Sequence, residues 1–297
     1  MKPKNIIVGA TGLIGSALVD IMLERGKTVI KTYNGSNSNG GIKLDLRDGN
    51  FDGLCDSISE NDNVYILSAY SNPSWVFENQ EEAKRVNLIG TINFIKKIIP
   101  KSPRIIYMSS VEVFDGTKGG YEECDLPNPL NLYGAMKYQI ECYLKEKYDR
   151  HTIVRTSWNV GLDFRSRCVV SLTYQSLLKA GAKMAVDNKF SITSVEDTAQ
   201  GLCALGNFPE IKKIHICGDG VVSRSQIAEL IIQNSKNSAL MNFEPCHFSE
   251  ISYSEPRGLI NNMNNSLSKE VMGISYQNSL DVILKKIAII DRETINL

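Results

Sequence analysis

The sequence predicts an α/β fold, a doubly wound parallel sheet followed by a small C-terminal lobe. Three observations predict it. Short apolar, β-rich runs alternate with amphipathic stretches of helical length, a glycine-rich turn joins the first run to the first such stretch, and the rhythm loosens after about Trp158. Alternating β and α segments imply parallel strands joined by right-handed crossovers.

Predicted strands cover residues 5–8, 28–32, 63–67, 104–108, 151–155 and 213–217, with a further short strand just before Asp45. Several are apolar at consecutive positions, as expected where helices cover both faces of a sheet. Helices are predicted over residues 13–25, 80–99, 134–148, 164–180 and 195–206. Residues 34–41 and 114–131 are rich in turn-forming residues, the second segment carrying two prolines, and read as long turns inside the domain. Residues 1–157 with 188–220 make the predicted core domain, and 158–187 with 221–297 the lobe.

A chain of 297 residues with 42% hydrophobic content suits a well-packed globule. Its 33 Lys+Arg balance 33 Asp+Glu, so no bulk field draws it to nucleic acid or an anionic membrane, and a small-molecule partner is expected. No stretch reaches the ~18 uninterrupted apolar residues of a membrane span. The apolar run Ile6-Ile7-Val8 is too short for a signal-peptide core. Seven cysteines, odd in number and without a Cys-x-x-Cys pair, argue against a disulfide framework or a zinc site, and a reducing cytoplasm is expected. His151, His215 and His247 share no metal-like spacing, so no metal is expected.

Gly9-Ala10-Thr11-Gly12-Leu13-Ile14-Gly15 follows the first strand directly and opens the first helix. Glycines there let the backbone turn tightly and approach a pyrophosphate, while the helix N-terminus supplies amide donors and a partial positive charge. The turn marks a Rossmann-like NAD(P) site; the alternative is a tight strand-to-helix turn without a ligand. At the end of the second strand, Ile30-Lys31-Thr32-Tyr33-Asn34 holds no carboxylate to grip the adenosine ribose hydroxyls, which favours NADP over NAD. No arginine stands there, and Lys31 is also readable as a strand residue facing away.

Tyr133-Gly134-Ala135-Met136-Lys137 places a tyrosine and a lysine four residues apart, one helical turn along the same face. A tyrosine at its ordinary pKa of ~10 is a poor base at neutral pH, and an adjacent ammonium favours the phenolate. Such a pair is also common on helix surfaces. Position separates the two readings, because Ser110 lies at the C-terminal end of the fifth strand, where open α/β sheets bind ligands.

The Gly-x-x-Gly-x-x-Gly spacing and the order Ser110, Tyr133, Lys137 resemble the extended short-chain dehydrogenase/reductases. The resemblance implies a carbonyl that accepts hydride from a nicotinamide while the tyrosine donates a proton and the serine holds the oxygen. Asp45-Leu46 matches where that superfamily meets the adenine, or is a turn aspartate. The run from Ser109-Ser110-Val111-Glu112-Val113-Phe114 through Tyr133-Gly134, Lys137 and Glu141 resembles the dTDP-4-dehydrorhamnose reductase family. Ser68-Ala69-Tyr70, Val86-Asn87, the run from Arg155 to Gly161, and Pro256-Arg257 extend the likeness over nearly the whole chain.

That likeness implies NAD(P)H-dependent reduction of the 4-keto group of a nucleotide-linked 6-deoxy sugar, in deoxysugar supply for surface polysaccharide. It puts Ser68, Ala69, Tyr70 and Asn87 along the cofactor. Val111, Glu112, Trp158 and Arg257 fall on the substrate side, where Trp158 is also readable as lobe core and Arg257 as a surface ion-pair partner. Relatives often dimerise through the helices at 80–99 and after Tyr133, so a homodimer is possible. The family usually has Thr-Asp-Tyr where this chain has Ser110-Val111-Glu112, and a Ser-x-Glu-Val run resembles instead the epimerases, decarboxylases and dehydratases. An epimerase or decarboxylase with bound NAD, and a non-catalytic regulatory subunit, stay as alternatives.

Overall fold

The computed structural model describes residues 3–35, 40–163 and 166–294. The predicted turn at 34–41 and helix at 164–180 therefore lie partly outside the described residues. In chain order the strands are β1 (Lys4–Val8), β2 (Thr28–Tyr33), β3 (Ile42–Lys43), β4 (Asn63–Ile66), β5 (Arg104–Ser110), β6 (His151–Thr156) and β7 (Trp158–Val160). They continue as β8 (Lys183–Ala185), β9 (Lys189–Phe190), β10 (Ile192–Ser194), β11 (Lys213–Ile216), β12 (Glu244–Cys246) and β13 (Ile260–Asn261). The helices are α1 (Leu13–Glu24), α2 (Asp52–Cys55), α3 (Pro73–Glu78), α4 (Gln80–Ala83), α5 (Thr91–Ile98) and α6 (Leu132–Lys147). After them come α7 (Val169–Leu177), α8 (Val195–Leu205), α9 (Arg224–Asn234), α10 (Ser266–Met272) and α11 (Ser279–Thr294).

Seven strands form one sheet in the order β11-β6-β5-β4-β1-β2-β3, and every neighbouring pair is parallel. Strand order reverses between β1 and β4, so the chain ends leaving those strands open a crevice at their C-terminal edge. Alternation along each strand divides the core between two faces. Ile6, Val64, Ile66, Ile105 and Tyr107 pack with Phe94 and Ile98 of α5 and Ile140 of α6. Ile7, Tyr65, Ile106 and Val154 pack with Leu18 and Met22 of α1 and Leu202 of α8. Each such side chain taken out of water contributes roughly 1.5–3 kcal/mol, which is why β5 and β6, buried at every position, anchor the sheet.

The predicted helix at 80–99 is a rod in three parts, α4, a π-helical stretch at Lys84–Gly90, and α5. The wide turn has local causes. Thr91 Oγ1 donates to the Val86 carbonyl five residues back, at 3.0 Å, and the Gly90 backbone lies against the Leu46 carbonyl, where a Cβ would come within 2.2 Å. The predicted helix at 164–180 is shorter. It starts after Cys168, whose amide donates to Ser171 Oγ at 2.9 Å in a capping box.

Helices α9, α10 and α11 lie outside the predicted set. A separate apolar cluster, including Val160, Val170, Leu177, Phe190, Ile227, Ile231, Ile283 and Ile287, is built on β7, α7, α9 and α11. Three pairs of short parallel strands, β7 with β10, β8 with β12 and β9 with β13, rim it. Lys286 of α11 is fully buried within it and donates to the carbonyls of Gly161, Asp163 and Ser166. Among the described residues no helix is long and apolar enough to cross a membrane.

Candidate active site

The crevice is built from the glycine turn upward. Gly9 leaves β1 at φ +93°, and a Cβ on Gly15 would lie 2.1 Å from the Gly9 carbonyl oxygen, so α1 docks on the turn with no space for a side chain. Gly12 is the N-cap of α1 and supplies no side-chain acceptor to the amides of the first turn. Those amides and the helix dipole suit the diphosphate of a dinucleotide, so the residues present fit that group. At the end of β2, Thr32 Oγ1 donates to the Ile7 carbonyl and accepts from the Gly9 amide, each at 3.1 Å, which ties the turn to the next strand.

A cavity of about 390 Å³ has this turn on one side and the ends of β5 and α6 on the other. Ser110 ends β5, and its hydroxyl accepts from the Glu112 amide at 3.2 Å, starting a single turn at Val111–Val113. A Cβ on Gly134 would come 1.9 Å from the Glu112 carbonyl oxygen. Only glycine lets α6 begin that close to the strand end, and the closeness brings Tyr133 to Ser110. Burial holds the Tyr133 phenol well above its ordinary pKa, while a hydrogen bond with Ser110 acts in the other direction.

One turn further along α6, Lys137 Nζ donates to the Met108 carbonyl at 2.8 Å and lies 5.8 Å from the centre of the Tyr133 ring. Burial pushes this ammonium down to about 8, opposed by Glu141. Glu141, another turn on, accepts from Arg155 Nε at 3.0 Å, Arg155 Nη2 at 2.6 Å and Ser109 Oγ at 2.5 Å. This buried pair fastens α6 to β5 and β6 behind the cavity. Glu112, also on the wall, has its carboxyl pKa raised by burial, with the Asn131 amide the main opposing influence.

The structure brings Gly9, Gly12, Leu13, Ile14, Gly15, Ala69, Ser110, Val111, Glu112, Tyr133, Lys137 and Trp158 into the lining of one cavity. Trp158 answers both of its readings, since it also packs on the lobe core, 5.1 Å from Phe190. Other expected residues are placed differently. Thr11 and Asn34 are exposed, off that wall, and Leu46 is buried in the core. The Asp45 carboxylate is gripped by Arg47 Nε at 2.9 Å to each oxygen, which holds its pKa below the ordinary range.

Ser68 stands with its backbone against Gly9, where a Cβ would meet the Ser68 nitrogen at 2.9 Å. Asn87 spends its amide on Tyr70, accepting from the Tyr70 nitrogen and donating to its carbonyl, both at 2.8 Å, so it holds the loop after β4 in shape. Tyr70 stacks on Trp75 with ring centres 4.1 Å apart. Arg257 lies on a second cavity, bonded to the buried Glu255 and to Ser74. Sequence reasoning missed Pro73, Asn159 and Arg167, all on the first wall. Asn72-Pro73 is an N-cap followed by an N1 proline, a start signal for α3 that was available in the sequence.

Residues 4–289 match the family model described as RmlD substrate binding domain. The chain belongs to the RmlD substrate binding domain family. Among curated relatives of this family member, the dTDP-4-dehydrorhamnose reductase of Aggregatibacter actinomycetemcomitans is 28% identical over 157 residues, 52% of this chain and 51% of that protein. The chain thus aligns with about half the length of that relative. Methionine adenosyltransferase 2 subunit beta of Xenopus tropicalis is 30% identical over 141 residues, 46% of this chain and 41% of the relative. A solved dTDP-4-dehydrorhamnose reductase from Bacillus anthracis, in complex with NADP, superposes with a TM-score of 0.80 at 23% identity, covering 97% of this chain and 99% of that one. It shows the same fold as this RmlD-family chain.

Proposed function

We propose that the chain reduces the 4-keto group of a nucleotide-linked 6-deoxy sugar with NADPH or NADH, the activity named for its reductase relatives. The observation that carries this is that Ser110, Tyr133 and Lys137 face the glycine turn across one cavity. The nicotinamide, when bound, supplies hydride to the carbonyl carbon. Tyr133 is firmly protonated in its buried setting and gives its Oη proton to the carbonyl oxygen as negative charge develops there. Ser110 holds that oxygen by its hydroxyl, and the Lys137 ammonium stabilises the phenolate left behind. NADPH is the favoured donor, because residues 30–34 hold no carboxylate to repel a 2′-phosphate.

Residues 1–157 with 188–220 hold the dinucleotide in this reading, and 158–187 with 221–297 the sugar nucleotide. The separate apolar cluster around α7, α9 and α11 supports the division. A cytoplasmic homodimer completes it, and gel filtration at micromolar concentration tests the dimer. One feature favours a second reading: Glu112 with Val111 beside it suits an epimerase or decarboxylase that recycles NAD. Absorbance of NADPH and NADH against a panel of 4-keto-6-deoxy sugar nucleotides separates them. Stoichiometric oxidation supports the reductase, whereas sugar interconversion at constant absorbance overturns it. A regulatory subunit, as the second relative's name describes for that protein, would oxidise nothing and remain unaffected by Tyr133→Phe.

A further inference from the structure

We propose that Arg224, rather than Arg257, recognises the diphosphate of the substrate. The inference rests on the sugar-nucleotide reading above and deepens it. A second cavity of about 530 Å³ adjoins the first and shares Pro73, Glu112, Trp158 and Asn159 with it. A ligand whose carbonyl reaches Tyr133 therefore extends its other end into this space. Glu112 is the sole carboxylate on that wall among the described residues, against the cations Arg167, Lys183, Lys189, Arg224 and Arg257.

The two inner arginines differ in what they already hold. Arg257 donates to Glu255 and Ser74 and lies over the Tyr253 ring at 4.4 Å, so its charge is neutralised within the protein. Arg224 has its backbone fixed as the first residue of α9, its amide donating to Asn188 Oδ1 at 3.1 Å behind the Ser223 cap. Its side chain is half-buried in the cavity wall, and among the described residues no carboxylate or carbonyl accepts from it. Burial disfavours its charge, and Arg257 adds like-sign repulsion.

Arginine cannot shed its proton at accessible pH, so a guanidinium drawn partly out of water with no partner is costly. The partner that completes Arg224 is an anion that arrives with the ligand, and its planar fork suits phosphate oxygens. The dinucleotide's own diphosphate belongs at the glycine turn of the first cavity, which leaves this anion to the substrate. Lys183 and Lys189 on the same wall supply more positive charge than one phosphate needs. Phe248 and Tyr253, with ring centres 5.4 Å apart, offer apolar surface for the base beyond it.

Calorimetric titration of the NADPH-loaded protein with dTDP, UDP and dTMP tests this in wild type, Arg224→Gln and Arg224→Leu, with ligand-free melting temperature as a control on folding. Wild type is expected to bind dTDP at least ~10-fold more tightly than dTMP, and both variants to raise the dTDP Kd about 100-fold. The variants should bind dTDP and dTMP alike, keep the NADPH Kd, and melt no lower than wild type, because an uncompensated charge has been removed. Variants that bind dTDP within twofold of wild type, or wild type that binds dTDP and dTMP equally, overturn the assignment while leaving the sugar-nucleotide reading intact. Wild type that binds neither dTDP nor UDP overturns both.

Discussion

Two arginines flank the crevice, Arg155 fully buried behind β5 and Arg224 half-buried in the wall of the second cavity. Arg155 is met by both oxygens of Glu141 and packs over the Phe114 ring at 4.8 Å. Arg224 has no such answer within the protein. The difference follows the work of each side. On the proposed reading the proton donor stands in one place before anything binds, and the Arg155–Glu141 pair behind it fixes α6 from within the protein, although Arg155 Nη1 is left without an acceptor among the described residues. The substrate wall is left electrostatically incomplete, and binding completes it.

The comparison would break most sharply at Tyr133. If the catalytic side works by a fixed proton donor, Tyr133→Phe lowers kcat by roughly 10²–10⁴-fold with dinucleotide affinity unchanged, measured by steady-state kinetics and NADPH titration. The next test concerns the frame. Glu141→Ala leaves Arg155 buried without its partner and should cost about 3–5 kcal/mol in urea unfolding, where Arg224→Leu costs nothing. Equal losses at the two arginines would erase the distinction.

A smaller effect belongs to Lys137. With its ammonium at about 8 in the folded chain, kcat/KM for ketone reduction should fall as pH rises through that value, and Lys137→Met should remove the descending limb. An unfolded lysine keeps its proton up to the ordinary 10.5, so between these values the unfolded chain binds more protons and folding stability rises with pH. The smallest change expected is at the helix cap, where Asn131→Ala should cost about 1–2 kcal/mol in urea unfolding by losing its bond from the Gly134 amide together with its bond to the buried Glu112.

The sheet was legible because β5 and β6 are apolar or uncharged along most of their length and buried throughout, and the triad because four residues on a helix mark one face. The lobe was less so. Strands of two or three residues, such as β8 and β9, are too short to display a period. On α11 the buried stripe Val282, Ile283, Ile287 and Ile290 is interrupted by Lys286, whose charge is absorbed by carbonyls far away in sequence. Arg257 was readable as an ion-pair partner, and the fold shows that the buried Glu255 is the group that meets it, whereas nothing in the sequence marked Arg224. Asn87 was expected along the cofactor, and that its amide is spent instead on Tyr70 is a matter of backbone geometry.

Asn131 joins these regions in time as well as in space. Its side chain caps α6 through the Gly134 amide at 2.9 Å, and its amide nitrogen donates to Glu112 at 2.8 Å and to the Pro256 carbonyl at 3.3 Å. Pro256 follows Asn131 by 125 positions. A ribosome that has just released α6 has therefore already delivered Ser110, Tyr133 and Lys137, yet the bond that fastens the start of their helix to the far side of the crevice awaits a segment still to be translated. The proposed catalytic groups come early in synthesis, and the late segment around Pro256 is tied to the start of their helix through Asn131.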